Sequence, residues 1–278
     1  MYVYLLLMIL LIVLIYMYYA YYNKTIKDEN ADPNIYFMNF DETAAFLQND
    51  KDHYASNLTA IDLYARKVKT HQEYKDNIMS ISISFTPDEK NMLITCSKNA
   101  DIFFRTSNFE GLSYSKYLNG NDIATIKWIF AKTYKNNNKE YEEGLPHTRE
   151  NVIFLSNYVL KYNEHDLTNT LIHEKVHIYQ RYNPDLFDAI IASMNYAALD
   201  VDRMPYKKYI RSNPDTNKKV YYDVTTNKEM VCLYRNDKPN GINDIVMNNF
   251  SLEHPYEKIA YDVANHYYKK NVDKYIKL

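Results

Sequence analysis

The sequence predicts an α+β protein led by an apolar N-terminal helix, and three observations predict it. Residues 1–22 hold no charged side chain and are almost wholly aliphatic, Met or Tyr. Further on, short runs alternate apolar and polar residues with the period of a half-buried strand, while longer runs repeat apolar residues at the helical period. One helix-compatible run carries His-Glu-x-x-His at residues 173–177.

At 1.5 Å per residue, the first 22 residues make a helix of about 33 Å, long enough to span a bilayer. Tyr2, Tyr4, Tyr16, Tyr18, Tyr19, Tyr21 and Tyr22 gather toward its ends, where phenol rings suit the headgroup level. No basic segment precedes the run and no small-x-small site follows it, which opposes a cleaved signal peptide. The expectation is a single-pass transmembrane anchor over 1–22 and a membrane location. Lys24 and Lys27 give a weak argument for a cytosolic bulk domain, which leaves its side open. Residues 23–35 are polar, contain Pro33 and read as a linker.

Residues 36–145 read as a mainly helical subdomain. Stretches 41–48 and 54–69 are helix-compatible, and Thr86-Pro87-Asp88-Glu89 is a capping-box start for a third helix. Ile81, Ile83 and Phe85 alternate as in a strand, as do Ala124, Ile126, Trp128 and Phe130. Residues 146–278 read as a second domain with a small sheet. A polar loop at 144–149, holding His147 and Arg149, leads into it, and a compact apolar strand follows at 152–155. The motif helix follows, starting at Asp166 or Thr168 and ending before Pro184. A helix over 186–198, a turn at Arg211-Ser212-Asn213-Pro214-Asp215, a hairpin of 220–224 with 230–234, and a final helix opened by Pro255 complete the chain.

The net charge is −2 with no basic tract, so there is no electrostatic case for nucleic acid, and a peptide or protein partner is expected. Cys96 and Cys232 are too few for a disulfide framework or a thiolate metal site. The motif carries the chemistry. Histidines four apart on a helix share one face one turn apart, so His173 and His177 can reach one ion. Zinc held by such ligands lowers the pKa of water, and Glu174 stands where a carboxylate can take that proton. Burying two imidazoles and a carboxylate without a metal is costly, which opposes a purely structural role.

Thr170 to Tyr179 resembles the extended signature of the zincin metallopeptidases, with an apolar residue before the first His and two after the second. Lys175 departs from it, since family members usually carry an uncharged residue there. The metzincin type does not fit, because Gln180 and Asn183 stand where that group has Gly and a third His. The gluzincin group takes its third zinc ligand from a Glu on a later helix, with a polar residue four or five positions on supporting a histidine. Glu257, with Tyr261 or Asp262, is similar; Glu253, His254 and His266 are the other candidates. Zincins also place a sheet-edge strand above the metal, and this resemblance points to residues 151–156 as the strand to which an extended substrate adds. The implied protein is a zinc metallopeptidase with metal ligands His173, His177 and Glu257 and general base Glu174. Two other readings stand beside it: a zincin-fold interaction module with little or no turnover, and a zinc hydrolase of a non-peptide substrate.

Overall fold

The structure is a computed structural model that describes residues 12–17, 32–134, 141–247 and 252–275. The chain divides into two compact units, Met1–Ile35 and Tyr36–Leu278. In the first unit, residues 12–17 form a short helical segment with every side chain exposed. The expected transmembrane anchor over 1–22, and the single-pass membrane location drawn from it, are corrected here. No helix among the described residues is long and apolar enough to cross a membrane. The remainder of that run, and residues 23–31 of the expected linker, lie outside the described residues.

The second unit mixes helices and strands. After β1 (Ile35–Phe37), which begins at the last residue of the first unit, come α1 (Phe40–Asn49), α2 (Ala60–Ala65), α3 (His71–Met79), β2 (Ser82–Ile83), α4 (Pro87–Thr106), α5 (Gly120–Thr125), β3 (Trp128–Thr133), β4 (His147–Arg149) and β5 (Val152–Ser156). There follow α6 (Glu164–Tyr182), α7 (Pro184–Ser193), β6 (Tyr196–Leu199), β7 (Val220–Asp223), β8 (Lys228–Met230), β9 (Cys232–Tyr234), β10 (Ile245–Met247) and α8 (Pro255–Tyr275). Helices α1, α2 and α4 each start at a reciprocal capping box, Asn39 with Glu42, Thr59 with Asp62 and Thr86 with Glu89. Each box satisfies two N–H groups that a helix start leaves open.

The main sheet runs β1-β3-β5-β4, with β2 also paired to β3. Strand β5 lies parallel to β3, with Phe130 opposite Ile153, and antiparallel to β4, with Thr148 opposite Ile153. Paired on both sides, β5 is apolar along nearly its whole length and fully buried. It therefore cannot be the open edge expected at 151–156. The edge is β4, which the sequence presents as a polar loop. The alternation at 124–130 also resolves differently: α5 takes its first half and the strand starts at Trp128. The expected helix over 186–198 ends at Ser193, and its last residues form β6. Strand β7 pairs with β8, whereas β9 pairs with β10, so the expected hairpin is shared between two small sheets.

The segment before β4 bends sharply. Glu142 (φ 46°), Glu143 (φ 53°) and Gly144 (φ 76°) are consecutive left-handed residues. Without a Cβ penalty only the glycine takes this shape freely, and each glutamate costs about 1–2 kcal/mol. Their carboxylates hold the bend. Glu142 accepts from Arg66 and Tyr74, and Glu143 accepts from the Ile242 N–H and Asn243 Nδ2. The bend delivers Leu145, Pro146 and His147 to the mouth of a cleft.

Candidate metal centre

Helix α6 positions the motif. Asn163 caps it by accepting from the Asp166 N–H, so Asp166 and Thr168 lie inside the helix and do not start it. The rear face buries Leu167, Leu171, Val176 and Ile178. Lys175, the departure from the zincin pattern, is on this rear side. Its Nζ lies 2.7 Å from Asp101 Oδ1 on α4 and 3.9 Å over the Trp128 ring. Burial pushes the amine down to about 8, against the Asp101 charge that favours protonation. The front face turns Asn169, Thr170, His173 and Glu174 toward a cleft of about 360 Å³, which Glu257 and Tyr261 of α8 also line.

At the base of the cleft three atoms converge. His173 Nε2 and His177 Nε2 are 3.0 Å apart, and Glu257 Oε2 lies 3.4 Å from the first and 3.7 Å from the second. These residues form the group that could hold a metal ion among the described residues. The surrounding bonds fix the donor atoms. Gln180 Nε2 donates to the Tyr256 carbonyl at 3.0 Å, which turns Gln180 Oε1 to His177 Nδ1 at 2.8 Å. Since an amide oxygen only accepts, the Nδ1 proton of His177 goes to Gln180, and in the neutral ring the lone pair is on Nε2. Asn213 Nδ2 donates to Glu257 Oε1 at 2.8 Å and leaves Oε2 for the histidines.

Electrostatics separate the two glutamates. Burial pushes the Glu174 carboxyl well up, and the Asp215 and Glu257 charges push the same way. Burial also works against the Glu257 carboxylate, but His177 and His173 outweigh it and hold Glu257 well below the usual range. His177 is correspondingly raised, with burial overcome by the charges of Asp215 and Glu257. Glu174 Oε2 is buried with no hydrogen-bond partner among the described residues.

The other third-ligand candidates are occupied elsewhere. Glu253 accepts from Arg211 and Asn213. His254 lies 3.0 Å from Asn217 through Nε2 and accepts the Tyr256 N–H through Nδ1, while burial pushes its pKa down to about 3. His266 packs on Phe103 and Phe109, away from the centre. Of the two residues considered as support for a histidine, Tyr261 sets its ring 4.4 Å from that of His173, whereas Asp262 accepts from Tyr114 and Lys258. Arg149 is fully buried and paired with Asp50 and Asp52, so it braces the scaffold and does not enter the cleft. His147 does line it.

The strand edge beside the centre is closed. The Thr148 N–H donates to Asp215 Oδ1 at 2.7 Å, and the Thr148 carbonyl accepts from Arg181 Nη2 at 3.0 Å. The segment 211–215 that supplies Asp215 and Asn213 is itself tied down, with the Ser212 N–H and Oγ both donating to Asp62. The fold and site together define a mixed α/β protein with a His/His/Glu group able to hold a metal ion. No family model, curated protein or solved structure matches the chain.

Proposed function

We propose that the protein is a zinc metallopeptidase of the zincin kind, with His173, His177 and Glu257 as zinc ligands and Glu174 as general base. The observation that carries this reading is the size of the ligand triangle. Donor atoms around a tetrahedral zinc at about 2.0–2.1 Å lie about 3.3–3.4 Å from one another. The edges here, 3.0, 3.4 and 3.7 Å, straddle that separation. Two imidazoles and one carboxylate also form the donor set of catalytic zinc sites, which keep a fourth position open.

Bound zinc supplies a Lewis acid that acidifies water and polarises a carbonyl. The protein supplies the rest. The role of Glu174 in taking a proton from the attacking water is supported by its place next to the first ligand in sequence, its position lining the cleft and an Oε2 without a partner among the described residues. The same carboxyl then returns that proton to the leaving amine. Gln180 and Asn213 keep His177 and Glu257 in register throughout. Peptide as the substrate rests on the likeness of residues 170–179 to the zincin signature.

The test pairs metal analysis with turnover on the full chain. Wild type is expected to hold close to one zinc, to melt lower after chelation, and to cleave casein. Glu174→Gln keeps three ligands, so it is expected to retain zinc and to lose hydrolysis by about 10²–10⁴-fold. Absence of zinc in the purified chain would refute the metal. Zinc retained without cleavage in either form would favour an interaction module, and cleavage confined to ester or amide substrates without a peptide bond would favour a different hydrolase.

A further inference from the structure

A peptide in the cleft needs partners for its main-chain groups, and the sheet edge does not offer them at Thr148. In antiparallel pairing, residues alternate between bonding their partner strand and pointing outward. In β4 the outward residue is Thr148, whose N–H and carbonyl are already taken by Asp215 and Arg181. Pro146, just before the strand, has no N–H.

Two side chains that line the same cleft, His147 and Asn169, each carry a buried acceptor without a donor among the described residues. His147 is only 3% exposed, and its ring is fixed by stacking on Phe154, with centroids 5.2 Å apart at 6°. Its Nδ1 faces the Leu145 carbonyl at 3.0 Å; a carbonyl only accepts, so the proton is on Nδ1 and Nε2 is a bare lone pair. That Nε2 is buried with no partner among the described residues. Burial pushes the His147 pKa down, against the Asp215 and Glu142 charges, so the ring stays neutral and remains an acceptor near pH 7. On α6, Asn169 stands one turn before His173, and its Oδ1 is likewise buried without a partner among the described residues. Buried acceptors without donors are uncommon in folded proteins, and a ligand rich in N–H groups would satisfy both.

We propose that His147 Nε2 and Asn169 Oδ1 accept main-chain N–H groups of an extended peptide, so that side chains hold the substrate where the sheet edge cannot. The inference rests on the peptidase reading above and adds two substrate-positioning residues to it.

The test uses zinc-loaded, full-length Glu174→Gln protein and fluorescein-labelled β-casein, an unfolded polypeptide, with binding read by anisotropy. Adding His147→Phe keeps the stack on Phe154 and removes the acceptor; adding Asn169→Leu keeps volume and does the same on the helix. Each is expected to weaken casein binding about five- to tenfold, with zinc content and melting temperature unchanged. Tight binding that neither substitution alters would overturn this inference and leave the peptidase reading intact. Casein that neither binds the zinc-loaded protein nor is cleaved by wild type would overturn both. Should His147→Phe fold poorly, Asn169→Leu decides alone, and unchanged affinity there refutes the pair.

Discussion

Gln180 decides which nitrogen of His177 is free for a metal. Its amide is held in one orientation by the Tyr256 carbonyl, and that orientation selects the imidazole tautomer. Gln180→Leu is therefore expected to weaken zinc binding about 10–100-fold, read by competition with a chromophoric chelator. Unchanged affinity would mean that packing alone orients the ring. His173, Glu174 and His177 were legible in the sequence because a helix turns a spacing of four into a shared face. Gln180 follows His177 by three and was within reach of the same rule. Asn213 and Asp215 were not, because their turn meets the centre only through tertiary folding. Glu257 was legible through resemblance, since nothing in local spacing ties it to residues 80 positions earlier.

Helix α6 has a front that meets the cleft and a rear that meets α4, and Lys175 belongs to the rear. Its charge is buried against Asp101 and Trp128, an arrangement in which losing one partner hurts more than losing the charge pair. Asp101→Ala strands the ammonium and is expected to cost about 3–5 kcal/mol in urea unfolding. The double variant Lys175→Met with Asp101→Ala is expected to recover most of that loss; no recovery would show that Asp101 acts through Trp128, whose Nε1 it also accepts at 3.2 Å. Among strands, β5 was legible as an element but not in its place, because apolar continuity marks a strand without naming its neighbours. Strand β4 was hidden by its own side chains. His147, Thr148 and Arg149 look solvent-facing in sequence, yet each is buried: Thr148 and Arg149 find partners far along the chain in Asp215 and Asp50, and His147 Nδ1 finds the Leu145 carbonyl two residues before it.

Across the second unit, buried and half-buried charges join segments far apart in sequence: Arg66 with Glu142, Arg149 with Asp50, and Arg181 with Asp215. Burial opposes the Glu142 charge, but Arg66 outweighs it and holds the carboxyl at about 2, below its ordinary 4.5. The folded state therefore releases this proton more readily than the unfolded chain does. Its contribution, on the order of 3 kcal/mol, is complete above pH 4.5 and lost as pH falls through about 2. Unfolding midpoints measured across that window are expected to fall more steeply in wild type than in Glu142→Gln, and equal slopes would refute the pair's role. The closed edge of β4 matters at this scale as well. An open strand edge is a template on which a second chain can pair and grow into aggregates. With the Thr148 N–H and carbonyl engaged by Asp215 and Arg181, neighbouring copies find no free ladder at this residue beside the His/His/Glu group, so the main sheet is guarded there against self-association in a crowded solution.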